Sequence, residues 1–327
     1  MKKIFKKILD IFYSSKEFIL ITHLNPDIDG ISSMLTIHLF LKSLNKTSYP
    51  LVEEIPDNIN FLPFFNELIL IENFNKKLED PVVIVLDAHS SGRIHEKIYR
   101  KVLDYKKFLI IDHHQKENKD IFSSEQISLI DSSSPSTTFL VYKILKKTNF
   151  KVSPEMAQNL LAGLYYDTGG FKYENVNKYT FKVASELCNL GANPYQIASH
   201  LFENLSLKEI EVLKMVLERL EFLNNGNIVL SYLTYHDLRK INYKNLRDFA
   251  NFLRTIRDVK VAVFIKEIDK NIVSVSLRSK PPIEIIEFAK IFGGGGHKYA
   301  SGFRLKVKNF YEFLYSLKKM IQEYYGR

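Results

Sequence analysis

Cysteine and tryptophan are almost missing from this chain, which has one cysteine, Cys188, and no tryptophan in 327 residues. A single cysteine excludes an internal disulfide framework and fits a reducing compartment. No apolar run approaches the roughly 20 residues that a membrane-spanning helix needs. The basic N-terminus runs into Ser14-Ser15-Lys16-Glu17 rather than into an apolar segment, so it does not have the pattern of a signal peptide. The sequence therefore predicts a cytoplasmic protein that makes no membrane contact.

The rest of the composition is that of an ordinary globular protein long enough for two domains. The net charge of +9 suits an anionic partner such as a nucleotide or a nucleic acid. Most of the lysines are scattered through helical patterns, where they form solvated faces. Charge alone therefore favours an anionic ligand only weakly.

Short apolar strands alternate with helical patterns in the first part of the chain, which is typical of a doubly wound parallel sheet, and Thr47–Val52 is predicted to be its second strand. The clearest break is the turn sequence Asn224-Asn225-Gly226-Asn227, after which a compact α/β pattern of about 100 residues follows, with a predicted helix over about 245–257 and a predicted strand over Ile272–Ser279. We therefore predict an α/β protein in which a domain with a doubly wound parallel sheet is joined by a helical connector to a smaller α/β domain. The predicted boundaries are 1–200, 201–224 and 225–327.

Three of the apolar runs end on acidic residues or histidines. The first is followed by His23, Asp27 and Asp29, the second by Asp87, and the third by Asp112, His113 and His114. In open α/β sheets the ligand lies outside the carboxyl ends of the strands, so these side chains should meet at one edge. Carboxylates gathered there would repel one another unless cations were present. The pattern indicates a two-metal site in which Asp87 bridges the ions.

Imidazole and carboxylate ligands together favour Mn²⁺, Fe²⁺, Co²⁺ or Zn²⁺, whereas Mg²⁺ prefers oxygen alone. Asp167, at the end of a helical pattern, is a further candidate ligand because the second half of the site needs another anion. Each motif also has a simpler interpretation. The segment from His23 to Asp29 could be a helix-capping loop, Asp87 a turn residue, and Gly169-Gly170 a plain helix stop.

The second α/β segment contains two candidate anion-binding features. One is the run Gly293 to Gly296 followed by His297, where backbone N–H groups without side chains could face a phosphate. The other is Arg278, at the end of an alternating strand, which could hold a terminal phosphate through two hydrogen bonds. A flexible linker and a solvated strand face are the respective alternatives.

These motifs, in this order, resemble those of the DHH/DHHA1 phosphoesterases over nearly the whole chain. The motifs are His23-x3-Asp27-x-Asp29, Asp87, Asp112-His113-His114, Asp167-Thr168-Gly169-Gly170-Phe171 and Gly293–His297. The length is most similar to the stand-alone bacterial nanoRNase/pAp phosphatase group. Ile28 replaces a glycine that is usual in the first motif. Phe139, after a Ser/Thr stretch that we interpret as a helix cap, replaces an acid.

The resemblance implies a metal site, a substrate site and an active site in the cleft between the two domains. Two Mn²⁺ ions, or alternatively Mg²⁺, Co²⁺ or Fe²⁺, would be bound by His23, Asp27, Asp29, Asp87, His113 and Asp167. His114 would contact the scissile phosphate and act in catalysis with Asp87. The substrate would be held from the second domain by Arg278, Gly294, Gly295, Gly296 and His297.

We therefore expect hydrolysis of short RNA oligonucleotides to mononucleotides, and of 3′-phosphoadenosine 5′-phosphate (pAp) to AMP. Hydrolysis of linear dinucleotides from cyclic-dinucleotide signalling and RecJ-like exonucleolysis are alternative activities. A non-catalytic nucleotide-binding protein is disfavoured because every histidine and acid of the motifs is kept. A homodimer is one option for the assembly.

Overall fold

The computed structural model describes residues 2–56, 58–115, 122, 125–148, 150–241 and 249–326. The chain divides into two compact units, residues 1–204 and 205–327. The predicted connector, 201–224, is split between these units, so its role as a connector stays a prediction.

The first unit contains seven helices and six strands among its described residues. In chain order they are α1 Lys2–Ser14, β1 Glu17–Thr22, α2 Ile28–Ser43, β2 Thr47–Val52, β3 Ile69–Leu70, β4 Val82–Leu86, α3 Glu96–Val102, β5 Lys107–Asp112, β6 Glu125–Ile130, α4 Thr137–Leu145, α5 Pro154–Asp167, α6 Lys178–Asn189 and α7 Pro194–Phe202. The strands form one sheet in the order β3-β2-β1-β4-β5-β6, and each described pairing is parallel. This confirms the predicted parallel sheet.

Helices cover both faces of this sheet. Phe18 and Leu20 of β1 pack into one apolar core, while Ile19 and Ile21 pack into the core on the other side. The same alternation holds along β4 and β5, which explains why their sequences are continuously apolar. The strand order reverses between β1 and β4, and such a switch point opens a crevice at the carboxyl ends of the strands.

The second unit is a smaller α/β fold. Its elements are α8 Leu207–Glu218, β7 Glu221–Leu223, β8 Ile228–Leu233, α9 Tyr235–Ile241, α10 Phe249–Arg254, β9 Val261–Asp269, β10 Ile272–Ser279, α11 Ile286–Ile291, β11 Gly295–His297, β12 Ala300–Lys306 and α12 Phe310–Tyr325. The sheet is mixed, with order β11-β12-β10-β9-β8-β7, and β8 and β9 are its parallel pair. The two-domain α/β fold is thus confirmed.

One sequence-based prediction lies partly outside the described residues, and another differs from the structure. Residues 245–248, the first part of a predicted helix over 245–257, lie outside the described residues, and α10 covers Phe249–Arg254. The glycine run is partly a strand, because Gly295 pairs with Gly302 of β12. Among the helices of the described segments, none combines the length and apolarity needed to cross a membrane.

Candidate metal centre

The loop that leaves β1 places His23 and two acids at the switch point. Asp27 caps α2, since its Oδ1 accepts the backbone N–H groups of Asp29 (3.0 Å) and Gly30 (3.1 Å). A Cβ on Gly30 would lie 2.4 Å from Thr22 Oγ1, so only glycine fits this close approach. The capping interpretation of the loop is therefore correct, and the cap also fixes the direction of the Asp27 carboxylate.

Asp87 follows β4 in a left-handed backbone conformation, with φ of +61°. This conformation is uncommon for a residue with a side chain, and it concentrates at functional sites. The Asp87 N–H donates to Ile111 O (3.0 Å), which ties the turn to the end of β5. Its carboxylate is almost completely buried. The strained turn aims a buried charge at the crevice.

Asp87 belongs to three groups of potential metal ligands among the described residues, and two of these groups consist wholly of predicted ligands. One group is His23, Asp27 and Asp87, and the other is Asp29, Asp87 and His113. Within each group, the ligand atoms lie within 4.8 Å of one another. His23 Nε2 is 3.5 Å from Asp87 Oδ2, and His113 Nε2 is 3.5 Å from Asp87 Oδ1. The two carboxylate oxygens of Asp87 thus face different imidazoles.

Asp167, at the end of α5, joins the second group through His113. Its Oδ2 lies 2.8 Å from His113 Nε2. The helix approaches closely because Gly163 lacks a side chain, and a Cβ there would lie 2.6 Å from Asp29 Oδ1. All six predicted metal ligands are therefore brought to one edge of the first sheet, and their role as ligands stays a prediction.

The electrostatics show how crowded the acids are. Burial raises the pKa of Asp29 well above its ordinary value, and the charges of Asp167 and Asp87 raise it further. Burial also raises the pKa of Asp167, in spite of the opposing effect of His113. Burial alone would lower the pKa of His113, but Asp167 and Asp87 raise it well above its usual value. Acids that cannot all ionise together are the environment that a bound cation relieves.

His23 and Asp27, both in the loop that leaves β1, behave as an ion pair. Burial opposes the charge on both groups, yet Asp27 and Asp87 raise the pKa of His23 well above its usual value. The pKa of Asp27 falls to about 2, since His23 and the Gly30 N–H outweigh the effect of burial. The imidazoles of His23 and His113, together with the crowded carboxylates of the site, fit a divalent cation of the Mn²⁺, Fe²⁺ or Co²⁺ type.

Asp112 holds two histidines, one of which the sequence analysis did not single out. Its Oδ1 accepts a hydrogen bond from His114 Nδ1 (2.8 Å), and its Oδ2 pairs with His89 Nδ1. Burial alone would raise the pKa of Asp112, but its bonds to His114 and His89 keep that pKa well below the ordinary value. Asp112 is completely buried, so it acts as a support for His114. The only sequence signal for His89 is its position two residues after Asp87.

The N-terminus of α4 is a second support that sequence reasoning did not identify. Thr137 N (2.6 Å), Thr138 N (3.0 Å) and Thr138 Oγ1 (2.6 Å) donate to the two carboxylate oxygens of Asp29. Thr137 Oγ1 donates to Asp87 Oδ1 at 2.8 Å. Ser136 caps the helix, as expected for the Ser/Thr stretch. The helix end therefore orients two acids of the centre.

In the second unit, Arg278 and the glycine run occupy defined positions. Arg278 Nε donates to Asn251 Oδ1 (3.1 Å), which fixes the guanidinium beside α10. The N–H of Gly294 donates to Ala289 O (2.9 Å) and closes the end of α11. That N–H is therefore engaged inside the fold. The substrate-binding role of Arg278, Gly294, Gly295, Gly296 and His297 stays a prediction.

Comparison with known proteins agrees with this architecture. Residues 17–164 match the N-terminal domain of the DHH family, and residues 225–323 match the DHHA1 domain. The matched segments together cover more than half of the chain. The chain therefore belongs to the DHH family and carries a DHHA1 domain after its DHH domain.

Individual relatives are distant. The chain is 27% identical to the "Bifunctional oligoribonuclease and PAP phosphatase NrnA" of Thermus thermophilus, over 87% of this chain and 83% of the relative. It is 24% identical to the "Membrane protein-large ribosomal subunit bL9 fusion protein" of Onion yellows phytoplasma, over 98% of this chain but only 38% of that protein. The crystal structure of an exopolyphosphatase-related protein from Bacteroides fragilis superposes with a TM-score of 0.87 at 24% identity. That superposition covers 99% of this chain and 97% of the other, and it shows the shared fold.

Proposed function

We propose that this protein is a Mn²⁺-dependent phosphoesterase that hydrolyses short RNA oligonucleotides to mononucleotides, and that also converts pAp to AMP. The observation that carries the proposal is the pair of ligand groups that share Asp87. The name of the T. thermophilus relative, an oligoribonuclease and PAP phosphatase, supports the choice of substrates. The net charge of +9 suits such anionic ligands.

In this proposal one ion would be held by His23, Asp27 and Asp87. The other would be held by Asp29, Asp87, His113 and Asp167. When bound, such ions lower the pKa of water and stabilise charge on phosphoryl oxygens. Mg²⁺, Co²⁺ and Fe²⁺ are alternative ions.

The protein's own groups position the reacting parts. Asp112 accepts the Nδ1–H of His114 and thereby fixes the tautomer and the orientation of the ring. In this proposal His114 Nε2 faces the scissile phosphate, where the doubly protonated ring would donate a hydrogen bond or protonate the leaving oxygen. Thr137 and Thr138 keep the acids of the site oriented before substrate arrives. Arg278, the glycine run and His297 bind the far end of the substrate.

The domain assignments follow the same proposal, with a catalytic domain at 1–200 and a substrate-binding domain at 225–327. A cytoplasmic location and a homodimer complete it. Neither is needed for the chemistry of the metal centre.

The test is hydrolysis, with and without Mn²⁺, of a 5′-labelled RNA dinucleotide, a 24-residue RNA and pAp. An Asp87→Ala/His113→Ala variant should be inactive, because it removes the shared ligand and its partner. A matched control, Asp10→Ala/His200→Ala, removes one exposed acid and one exposed histidine and should retain activity.

Metal-dependent cleavage of the dinucleotide, much faster than that of the 24-residue RNA, would support the proposal. Rapid processive degradation of the long RNA would replace it with a RecJ-like exonuclease. Turnover of pApA or pGpG without turnover of other RNA dinucleotides would instead indicate a hydrolase of the linear dinucleotides that arise in cyclic-dinucleotide signalling. Tight nucleotide binding without hydrolysis of any substrate would contradict catalysis altogether.

A further inference from the structure

α8 carries an apolar stripe on a side of the helix that does not face its own core. Val212 and Val216 pack into the core that also contains residues of β8, β9 and α10. Leu207, Ile210 and Leu217 lie on a different side, where their exposed fractions are 85%, 47% and 43%. A surface helix that packs on a single core has one apolar side. A second apolar side therefore indicates a further packing surface.

The spacing of this stripe is that of a coiled-coil seam. The seam positions follow one another at intervals of three, four and three residues, and they are Leu207, Ile210, Lys214 and Leu217. Leu213 is half-buried beside them, and it lines one surface depression together with the last three seam residues. Side chains spaced in this way form the holes that receive the side chains of a second helix. The stripe therefore suits a helix as its partner.

Lys214 is the one cation of the seam, and it decides the orientation of the partner helix. Its Nζ lies 3.9 Å from Glu218 Oε1 of the same helix, and such an exposed ion pair is weak. Two parallel copies of α8 would place the two Lys214 side chains against each other, where like charges repel. Two antiparallel copies centred on the stripe place Lys214 opposite the partner subunit's Ile210 and beside the partner subunit's Glu211. The helix is therefore complementary to a second, antiparallel copy of itself.

We propose that the apolar stripe of α8 is an interface between two copies of this chain, which pair through antiparallel α8 helices about a twofold axis. The inference rests on the homodimer of the proposed function, but not on hydrolysis. α8 has 12 residues and is about 18 Å long, so the interface is smaller than the standard size of about 1,600 Å². We therefore expect a dimer with a dissociation constant on the order of 10 µM.

The first test places a charge in the seam. Ile210→Glu is the test variant, and Ile291→Glu is the matched control, because Ile291 is an even more exposed isoleucine (64%) of the same unit. Sedimentation velocity over a concentration series measures the dissociation constant of the dimer. We expect Ile210→Glu to weaken the dimer by about tenfold or more, since the interface would bury an unpaired carboxylate. Ile291→Glu should leave the dimer unchanged.

The second test strengthens the dimer, which a misfolded variant cannot do. Lys214→Leu should tighten the dimer about tenfold, because a polar residue at a seam position costs stability. Lys208→Leu changes the charge of α8 equally but lies outside the seam, so it should have no effect. Glu211→Lys and Lys214→Glu should each weaken the dimer, and the double variant should restore it, because the two charges are then exchanged.

A wild type that stays monomeric at about tenfold the expected dissociation constant would overturn the interface. A dimer that Ile210→Glu leaves intact, equal changes in the two lysine-to-leucine variants, or no rescue by the charge exchange would overturn it too. Turnover of an RNA dinucleotide in Mn²⁺, measured on the same samples, keeps the proposed function separate. A dimer that hydrolyses nothing would remove that function and leave the interface standing.

Discussion

The two units of this protein place their buried acids in different surroundings. The parallel sheet of the first unit brings acids and histidines from several strand ends to one edge, where Asp29 and Asp167 are too crowded to ionise normally. In the second unit, the buried acid Asp237 of α9 is instead paired with Arg219, at the end of α8 (3.0 Å). Acids that raise one another's pKa indicate a candidate ligand site, whereas a matched pair of opposite charges indicates a structural role.

The largest effect should come from the residue that both ligand groups share. Asp87→Asn keeps the size of the side chain but removes its charge, so metal-dependent hydrolysis should fall on the order of 10³-fold or more. Steady-state kinetics on an RNA dinucleotide at saturating Mn²⁺ measures the loss. Asp131→Asn, which alters a more exposed acid of the same unit, is the control. Activity within tenfold of wild type in Asp87→Asn would contradict the bridging role.

The second largest effect should come from the N-terminus of α4, which donates hydrogen bonds to Asp29. Thr138→Val removes the hydroxyl that donates to Asp29, so the affinity for Mn²⁺ should fall by about 10- to 100-fold. Calorimetric titration of the metal measures the change. Thr148→Val is the matched control, because the buried hydroxyl of Thr148 donates to the backbone carbonyl of Leu145. Equal affinities in both variants would show that Thr138 does not support the site.

The paired acid of the second unit should affect stability rather than activity. Hydrogen bonds from Arg219 and Thr234 outweigh the effect of burial and lower the pKa of Asp237 to about 2. The pKa of Asp237 in the unfolded chain is higher, so ionised Asp237 stabilises the folded state. This stabilisation is complete above about pH 4 and is lost as the pH falls towards 2. Asp237→Asn should therefore cost roughly 2 kcal/mol at pH 7, and less near pH 2. Chemical denaturation at both pH values tests this, and a pH-independent cost would contradict it.

The smallest effect should be at His89, which acts through Asp112. His89→Asn should lower kcat by about tenfold with little change in KM, because Asp112 then holds His114 less firmly. Full rescue of kcat by His89→Gln, but not by His89→Phe, would support a hydrogen-bonding role. A change in KM alone would show that His89 affects substrate binding instead.

Strands were predictable from the sequence where the pattern is continuously apolar or regularly alternating. The predicted strands Thr47–Val52 and Ile272–Ser279 coincide with β2 and β10, because apolar or alternating patterns bounded by turns mark them. β6 was missed, since Glu125–Ile130 is a half-buried edge strand with mixed polarity. β7 was also missed, because Glu221–Leu223 continues the helical pattern of α8.

The site was predictable only at the level of strand ends. The predicted ligands follow apolar runs, so their convergence at one edge could be inferred from sheet geometry alone. The supports could not be inferred, because Thr137 lies 108 residues from Asp29 and donates to it only after α4 has packed beside α2. The same holds for His89 and Asp112, whose contact depends on the register of β4 and β5.

Direct counting of bound metal tests the central claim that the acids and histidines of the first unit form a two-ion centre. Equilibrium dialysis of the chelator-treated protein against Mn²⁺ should give two ions per chain in the wild type. Asp87→Asn should bind fewer ions, or bind them far more weakly. No binding at millimolar Mn²⁺, or a stoichiometry that Asp87→Asn leaves unchanged, would contradict the account.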